Sequence, residues 1–364
     1  MPAKYLITGG AGFIGSHLAD RLAGRGHQVT VLDDLSSGSV RNLEGAMAGG
    51  RVHLVDGSVL DSELVKRCVH DVDACVHLAA ALGVQRIVDR PLEPLLANVR
   101  GADIVMAESN AAGCRVLFAS SSEVYGKQSG EALAEQADCT IGAPSYSRWS
   151  YAIAKQFGEA LANAYRQDAS AAIATIRFFN IVGARQSAAY GMVLPRFVEQ
   201  ALADEPVTIY GDGRQSRCFT SVHDAVDAIE ALLGVTGSAG NGTFNVGASA
   251  AVCVEDLARL VISRAASQST IVHVPYSEAY GAGYQELGNR VPDTRALREL
   301  VGWKPRRTIE QIVDEVIASQ LRVMLDASSP ARSRPGGSRA ARVPAARAVE
   351  PTRLSGGASA AVVE

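Results

Sequence analysis

The sequence predicts an α/β protein in which a doubly wound parallel sheet is joined to a smaller α+β domain. From Lys4 to about Phe179, short β-branched or apolar runs alternate with longer helix-like stretches, the pattern of a parallel sheet with crossover helices. A glycine-rich turn follows the first of these runs and opens a helix, as expected where such a sheet begins. The chain has 364 residues, of which 47% are apolar and 20% charged, so it can bury a substantial core.

The first half of the chain supplies six predicted strands, each a short run of β-branched or other apolar residues. They cover 5–8, 28–32, 51–55, 74–78, 115–120 and 172–178. The longer stretches between them predict helices at 13–25, 61–70, 92–112 and 149–168. Because connections of this length cross over a sheet, we expect the strands to run parallel.

The pattern loosens beyond Asn180. Helices are predicted at 193–203, 222–233, 255–265 and 308–324, and strands at 207–210 and 271–274. We therefore divide the chain into a first domain at 1–180, a smaller α+β part interleaved with it at 181–326, and a tail at 327–364. The tail is mostly Ala, Ser, Gly, Pro and Arg, so it is expected to be disordered. A cleft between the two folded parts is the expected ligand site.

Charge and composition exclude several classes of function. With 35 basic and 38 acidic side chains, the formal net charge of −3 gives no electrostatic footprint for nucleic acid or an anionic membrane surface. No apolar run approaches the roughly 20 residues that span a bilayer, and a strand-like segment stands where a secretory signal would begin. The six cysteines form no CxxC pair and the seven histidines no HxxxH or HExxH pattern. We expect free thiols, no metal site and a cytoplasmic protein.

The first turn carries a dinucleotide-binding pattern. In TGGAGFIG (8–15), glycines stand at Gly9, Gly12 and Gly15, where they permit a tight turn and let backbone N–H groups approach a pyrophosphate at the start of a helix. The second strand ends at Asp33, 24 residues after Gly9, where a carboxylate can accept both ribose hydroxyls and would repel a 2′-phosphate. The neighbouring Asp34 is the alternative ribose ligand. The pattern predicts a Rossmann-type domain that binds NAD.

A candidate acid–base pair lies on the predicted helix at 149–168. Tyr151 and Lys155 stand four residues apart and therefore share a helical face. A nearby ammonium and a positive nicotinamide ring would lower the pKa of the phenol from about 10 towards neutrality, which makes it a base for an alcohol proton. Alone, this spacing is common on surface helices. Its place after the dinucleotide turn and after SSSEVYG (120–126) favours the functional interpretation.

Together, TGGAGFIG, HLAA, SSSEVYG, YAIAK, RFFN and TIYGDGRQSRCF resemble the extended short-chain dehydrogenases/reductases that act on nucleotide sugars, over about residues 4–325. The resemblance implies that Ser121 hydrogen-bonds the reacting sugar oxygen, that Tyr151 is the base and that Lys155 is its partner. It also implies a homodimer formed through the helices at 92–112 and 149–168.

The resemblance further implies a set of cofactor contacts along one edge of the sheet. Ser58 departs from relatives, which commonly place an Asp there to meet the adenine amino group. The predicted NAD contacts are Gly9, Gly12, Phe13, Ile14, Gly15, Asp33, Asp34, Ser36, Gly38, Ser58, Val59, Leu78, Ala79, Ala80, Tyr151 and Lys155.

By the same resemblance, the second half binds a UDP-sugar. Asn180, Arg196 and Arg217 would hold the diphosphate and the sugar, because a guanidinium fork suits phosphate and carboxylate groups. Tyr210 would pack on the uracil. Arg185 is a further candidate anion contact.

Two local patterns resemble the UDP-glucuronate decarboxylases. Glu123 comes directly before Val124-Tyr125-Gly126, and GYQE (283–286) leads into Asn289-Arg290-Val291-Pro292-Asp293. RWS (148–150) before the base also resembles one branch of these enzymes. In them, the matching Glu and Arg lie beside the substrate carboxylate. Oxidation at C4 makes the uronate a β-keto acid, which loses CO2 to give UDP-4-keto-xylose or, after hydride return, UDP-xylose.

Two other functions stay open at this stage. A UDP-glucuronate or UDP-glucose 4-epimerase uses the same Ser, Tyr and Lys, and only Glu123 favours decarboxylation. A non-enzymatic NAD-sensing protein could use the same fold, although such proteins typically lack the Tyr/Lys pair. A 4,6-dehydratase is disfavoured because it usually needs an Asp-Glu pair where this chain has Ser122-Glu123.

Overall fold

The fold was analysed in a computed structural model, which describes residues 2–81, 92–128, 132–187, 192–280 and 289–328. The GYQE pattern at 283–286 and nearly all of the predicted tail lie outside these residues. The strands are β1 (Lys4–Thr8), β2 (Gln28–Asp33), β3 (Val52–Asp56), β4 (Ala74–His77), β5 (Arg115–Ser121), β6 (Ala132–Leu133), β7 (Ile173–Phe178), β8 (Ile181–Val182), β9 (Val207–Tyr210), β10 (Ser216–Cys218), β11 (Thr220–Ser221), β12 (Gly242–Val246), β13 (Ala251–Cys253), β14 (Ile271–Val274) and β15 (Val291–Pro292).

The helices match most of the stretches predicted from periodicity. They are α1 (Phe13–Gly24), α2 (Glu44–Ala48), α3 (Ser62–Val69), α4 (Leu92–Ala111), α5 (Ser150–Asp168), α6 (Val193–Leu202), α7 (Val222–Leu233), α8 (Val254–Arg264), α9 (Tyr276–Tyr280), α10 (Arg295–Val301) and α11 (Ile309–Ser328). Short 3₁₀ turns include Ser122–Tyr125 and Ser147–Trp149, and each of them precedes or carries residues of the candidate site.

The central sheet has seven parallel strands in the order β12-β7-β5-β4-β1-β2-β3. Helices cover its faces, so β4 and β7 are buried along their whole length and read as continuous apolar runs. The predicted doubly wound, Rossmann-type sheet is therefore confirmed. Its strand order reverses at β1, where Thr8 lies opposite Leu32 on one side and His77 on the other. A crevice at such a reversal, beyond the carboxyl ends of the strands, is the usual ligand site.

The main core surrounds this sheet and includes residues from late in the chain. Leu18 of α1 and Val226 of α7 share the core cluster, and Leu297 and Trp303 join it from the segment that follows residue 290. The Trp303 indole N–H donates to the Asp224 carbonyl at 2.9 Å, which gives this buried polar atom a partner.

A second core lies outside the sheet. It is built from α6, α8 and α11 with the two-stranded ladder of β9 and β14, and Phe197, Leu257 and Val313 are among its fully buried residues. Segments after residue 180 therefore contribute to both cores, and the boundary at 180 stays a prediction. Sequence periodicity missed β12, because a five-residue run that contains Gly242 and Asn245 carries a weak strand signal.

Three further two-stranded ladders connect distant segments: β10 with β13, β8 with β11, and β6 with β15. Within the residues described, no helix is both long and apolar enough to cross a bilayer.

Candidate active site

The glycine turn after β1 lies against the chain segment after β4. Gly9 has φ +70°, and a Cβ there would come within 2.7 Å of the Ala79 amide nitrogen. A Cβ on Gly15 would collide with the Gly9 carbonyl. A side chain at either position would overlap neighbouring backbone atoms. The turn therefore needs glycine at both positions for space, and at Gly9 also for its positive φ.

The first turn of α1 suits an anion. Its N-cap, Gly12, makes no side-chain cap, and the first turn carries no acidic side chain. The helix dipole and the N–H groups of this turn favour a negative group there. Phe13 and Ile14 lie at the helix start and are partly buried against the main core.

Asp33 is the buried carboxylate beside this turn, with 7% of the residue exposed. Its Oδ2 accepts the Ala11 N–H at 2.9 Å and its Oδ1 accepts the Leu35 N–H at 2.9 Å. Burial raises its pKa, and these two N–H groups oppose the rise. Asp34 is exposed and accepts the Ser36 N–H, so the geometry favours Asp33 as the ribose ligand.

The remaining predicted cofactor contacts lie along the same edge of the sheet. Gly38 lies against Ala11 and the Asp33 carboxylate, and Val59 packs against Gly101 of α4. The Leu78 N–H donates to the Thr8 carbonyl at 3.0 Å, which continues the ladder of β4 with β1. Seven of the predicted contacts follow strands β2, β3 and β4: Ser36, Gly38, Ser58, Val59, Leu78, Ala79 and Ala80. These residues and the N-terminus of α1 fit a dinucleotide.

Side-chain hydrogen bonds from Asn98 and Thr8 hold the segment after β4. The Asn98 amide, on α4, accepts the Ala81 N–H at 2.8 Å and donates to the Ala81 carbonyl at 3.1 Å. Thr8 Oγ1 lies 2.7 Å from His77 Nδ1 and accepts the Ala79 N–H at 3.3 Å. The backbone that faces Gly9 is thus held from both sides.

Tyr151 and Lys155 lie on the first turns of α5, as the sequence predicts. The Lys155 ammonium donates to the Ala119 carbonyl of β5 at 2.8 Å and lies 5.8 Å from the centroid of the Tyr151 ring. Burial lowers the pKa of Lys155 to about 8, against an opposing effect of Glu159. The side chain of Ser121, at the end of β5, hydrogen-bonds the Tyr151 phenol.

The expected lowering of the Tyr151 pKa includes the effect of a nicotinamide ring and stays a prediction, whereas in the chain by itself this pKa is raised. Burial raises the pKa of the phenol, the negative charge of Glu123 raises it further, and the hydrogen bond from Ser121 only partly offsets them. Sequence spacing places the ammonium of Lys155 near the ring but does not reveal that the charge of Glu123 acts on the phenol.

Glu123 lies in the 3₁₀ turn after β5, between two guanidinium groups. Arg290 donates to its Oε1 at 2.5 Å, and an Arg148 nitrogen lies 3.7 Å from its Oε2. Burial alone would raise the pKa of this carboxyl, but Arg290, Arg148 and Arg217 outweigh it and the pKa is lowered. Glu123 is therefore ionised at neutral pH, and Arg217 lies within electrostatic reach of it.

Arg290 reaches this turn from far along the chain. It directly precedes β15, which pairs with β6, and 7% of its side chain is exposed. Its second nitrogen donates to the Ser122 carbonyl at 2.8 Å. The predicted neighbourhood of Glu123 and Arg290 thus exists in the folded chain.

The predicted nucleotide-sugar contacts form a second group. The Arg196 guanidinium covers the Tyr210 ring at 3.9 Å from its centroid and donates to the Thr208 carbonyl. Arg217, on β10, donates to the Ser216 carbonyl at 2.8 Å, and the Asn180 amide donates to the Cys218 carbonyl at 3.2 Å. Of these four candidates, Tyr210 and Arg217 lie on β9 and β10, Asn180 follows β7, and Arg196 lies on α6.

Arg185 does not join this group through any contact in the described structure. Its guanidinium pairs with Asp20 of α1 at 2.7 Å, and the neighbouring Ala184 carbonyl lies 2.9 Å from His17 Nε2. A role for Arg185 in anion binding would require it to leave this pair.

Sequence reasoning gave no role to Arg148, although it noted the RWS pattern that contains it. Arg148 stacks on the Trp149 ring, 5.3 Å from its centroid, while it faces Glu123. Its position three residues before Tyr151 is the signal that could have identified it. Among the residues that the structure covers, no cluster of three His, Cys, Asp or Glu side chains could hold a metal ion.

The sequence profile of the "NAD dependent epimerase/dehydratase family" matches residues 5–247. Two relatives show the type of enzyme this chain resembles. It is 37% identical over 319 residues to a UDP-N-acetyl-alpha-D-glucosaminuronate decarboxylase of Bacillus cytotoxicus, which covers 87% of this chain and 97% of the relative. It is 31% identical over 314 residues to UDP-glucuronic acid decarboxylase 1 of Danio rerio, which covers 86% of this chain and 72% of the relative.

The fold also matches solved structures. A UDP-glucose 4-epimerase of Thermus thermophilus, crystallised in complex with NAD, superposes with a TM-score of 0.75 and 26% identity. The match covers 87% of this chain and 98% of the epimerase.

Proposed function

The chain belongs to the NAD-dependent epimerase/dehydratase family, and from this premise we propose that it is an NAD-dependent decarboxylase of a UDP-linked uronic acid. The substrate in this proposal is UDP-glucuronate or its N-acetylated relative. For UDP-glucuronate, oxidation at C4 and loss of CO2 give UDP-4-keto-xylose, UDP-xylose or both.

The observation that carries the proposal is the charge arrangement around Glu123. One carboxylate stands between the guanidinium groups of Arg290 and Arg148, with Arg217 within reach, so cations outnumber anions around Glu123. This surplus of positive charge suits a substrate that carries a carboxylate next to the reacting carbon. A neutral hexose has no group that would use it.

The cofactor in this proposal is NAD, and the edge of the sheet fits it. The glycine turn and the N-terminus of α1 would hold the pyrophosphate, and Asp33 would hold the adenosine ribose. NAD bound there supplies a positive ring that accepts hydride from C4 of the sugar and can return it.

Tyr151, Lys155 and Ser121 would handle the proton of the C4 hydroxyl. Ser121 hydrogen-bonds the phenol and would orient the sugar oxygen towards it. Because the phenol pKa is raised in the chain alone, Tyr151 keeps its proton until further positive charge stands nearby. Lys155, held on the Ala119 carbonyl, contributes an ammonium below a pH of about 8.

Glu123 and Arg290 would act on the second step. The 4-ketone makes the uronate a β-keto acid, so the C5–C6 bond can break with its electron pair delocalised into the carbonyl while CO2 leaves. In this proposal Glu123, ionised by its arginine neighbours, repels the substrate carboxylate and favours its departure as neutral CO2. Arg290 orients that carboxylate and relays the proton that C5 then takes up.

The substrate class leaves two members to distinguish. UDP-glucuronate and UDP-N-acetylglucosaminuronate differ at C2 and share the C4, C5 and C6 groups on which the proposed chemistry acts. The relative with 37% identity is named for the N-acetylated substrate, and the one with 31% identity for the plain uronate. Both compounds are therefore tested.

A 4-epimerase is the second candidate, because a solved epimerase shares the fold at 26% identity. It would use the same Ser121, Tyr151 and Lys155 but would return hydride to the opposite face of C4 without loss of CO2. The preformed pair of Glu123 and Arg290 favours decarboxylation, since an epimerase has no carbon to expel.

We also propose that the protein forms a homodimer through α4 and α5, as the resemblance to its family implies. These helices pack on each other and expose Leu92 (67%), Leu96 (37%) and Phe157 (44%). Large apolar side chains grouped on a helix pair suit burial against a second copy. The described cysteines are all free, which supports a reducing, cytoplasmic setting.

Purified protein incubated with NAD and each UDP-uronate tests the function, with mass spectrometry and NMR of the sugar nucleotide as readouts. Loss of CO2 is expected from at least one of the two substrates. An unchanged mass with inverted C4 would instead establish the epimerase. Glu123→Gln and Arg290→Ala are expected to slow CO2 release by about 100-fold while C4 oxidation falls much less. Equal losses in both steps would remove the assigned roles.

A further inference from the structure

Glu123 and Arg290 meet although they come from separate parts of the chain, and one buried amide touches both supports. From this geometry we propose that Asn245 is a positioning residue that sets the placement of Arg290 relative to Glu123. The proposal deepens the function proposed above and rests on it for its catalytic consequence. Its structural part, the placement of the ion pair, can be tested without any substrate.

Asn245 lies on β12, opposite Arg177 of β7, and is fully buried. Its side chain uses both amide hydrogens and its oxygen. The Nδ2 group donates to the Leu133 carbonyl at 2.8 Å and to the Asp293 carbonyl at 2.9 Å, and Oδ1 accepts the Tyr125 hydroxyl at 2.8 Å. An isosteric side chain without two donors could not make this set.

The first two bonds hold the ladder that carries Arg290. Leu133 is the last residue of β6, and Asp293 follows β15 directly. The Asp293 N–H also donates to the Leu133 carbonyl at 3.0 Å. The two strands are only two residues long each, so their own hydrogen bonds give little support, and the Asn245 amide joins their ends to the central sheet.

The third bond holds the turn that carries Glu123. Tyr125 ends the 3₁₀ turn Ser122–Tyr125, and its ring lies under the Arg177 guanidinium at 4.7 Å from the centroid. Arg177 in turn forms a bidentate pair with Glu159 on α5, the helix of Tyr151. The turn is thus fixed to the sheet and to the helix of the proposed base at once.

A single residue therefore links the two halves of the ion pair. Among the described residues, Arg290 donates to the Ser122 carbonyl and to the Glu123 carboxylate, so a shift of either support changes the pair directly. Misplacement of a catalytic group by about 1 Å can cost about 100-fold in rate. Asn245 touches neither group and acts through their backbones, which is why its role is positioning.

The test compares the full-length wild type with Asn245→Ala and Tyr125→Phe. Tyr125→Phe removes one hydroxyl and keeps the ring against Arg177. It therefore tests the same placement if Asn245→Ala does not fold. Trp303→Phe is the matched control, because it also removes a buried hydrogen bond at 2.9 Å in the main core, but one made to the Asp224 carbonyl of α7. Selective 13C labelling of glutamate reports the titration of the Glu123 carboxyl, assigned from the signal lost in Glu123→Gln.

We expect the apparent pKa of Glu123 to rise in Asn245→Ala and Tyr125→Phe, because Arg290 no longer holds the carboxylate, and to stay at the wild-type value in Trp303→Phe. An unchanged titration in both site variants, or an equal rise in the control, overturns the positioning role. In the enzyme assay, the ratio of CO2 release to C4 oxidation should fall by about 10-fold or more in Asn245→Ala. If the wild type releases no CO2, the proposed function fails while the titration still decides the role of Asn245.

Discussion

At the residue scale, the proposed chemistry depends on the protonation of one phenol. Burial and the negative charge of Glu123 raise the pKa of Tyr151, while Lys155 is held on a backbone carbonyl and has a pKa that burial lowers to about 8. The site therefore holds the proton on the phenol until a positive group arrives beside it. This order would prevent Tyr151 from titrating before the cofactor and substrate are in place.

Tyr151→Phe should lower turnover by about 1,000-fold while cofactor binding is kept, because the ring still packs and only the proton acceptor is lost. The measurement is the absorbance of reduced nicotinamide in a single turnover, together with titration of NAD binding. Tyr146→Phe is the control, since that ring is 47% exposed and lies in the loop before α5. Turnover of Tyr151→Phe at the wild-type rate would exclude the phenol as the base.

At the element scale, the turn between β1 and α1 decides cofactor binding in the proposed function. Two independent constraints meet at Gly9: its φ of +70° and the closeness of the Ala79 backbone. The first affects stability, since an L-residue in this region is strained. The second affects the space between the turn and the segment after β4.

Gly9→Ala should weaken NAD binding by about 10-fold or more, because its Cβ would push Ala79 away from the turn. Gly26→Ala is the matched control: Gly26 has φ +89°, but a Cβ there would meet no atom within 4 Å. Each variant is expected to lose about 1 kcal/mol of unfolding free energy from backbone strain. Calorimetric titration with NAD separates the two effects, and equal affinity in both variants would contradict the steric argument.

At the scale of the whole molecule, two histidines and Glu315 connect the helices of the two cores. His223 Nε2, on α7, lies 2.9 Å from Glu315 Oε1, on α11, and the His17 ring of α1 lies 5.1 Å from the His223 ring. Burial of Glu315 is outweighed by the hydrogen bond and charge of His223, so the pKa of this carboxyl is lowered. A lowered carboxyl pKa contributes stability above the unfolded value of 4.5 that is lost as the pH falls through the folded pKa.

His223→Ala should therefore lower the free energy of unfolding by about 1 kcal/mol at neutral pH and by less below pH 4.5. Urea unfolding at the two pH values measures the difference. Arg264→Ala is the control. It removes an exposed ion pair between Arg264 of α8 and Asp314 of α11, the helix of Glu315, and should change the free energy of unfolding by less than about 0.5 kcal/mol. A loss from His223→Ala that does not shrink on acidification would show that the charge of Glu315 plays no part.

The second molecular-scale prediction concerns assembly. Phe157→Glu combined with Leu92→Glu should convert the proposed dimer into monomers, because two charges would then have to be buried between copies. Leu60→Glu is the control, since Leu60 is also exposed (45%) but lies between β3 and α3. Sedimentation equilibrium gives the molar mass of each variant, and a wild type that sediments as a monomer would refute the proposed interface.

Local patterns determined much of this protein. Apolar periodicity located the parallel strands and most helices, the spacing of glycines located the tight turn between β1 and α1, and the spacing of Tyr151 and Lys155 put them on one helical face. Each of these features arises within about one βαβ unit, where neighbours in sequence are also neighbours in space.

Tertiary structure decided the rest, because burial and charge act through space. Glu123 and Arg290 are 167 residues apart, and only the folded chain shows that they form an ion pair. The same fold raises the Tyr151 pKa in the chain alone through burial and the charge of Glu123, adds β12 to the sheet and pairs Arg185 with Asp20. Sequence spacing identifies which groups are present, whereas the sign of their interaction depends on which of them face each other and how much water remains between them.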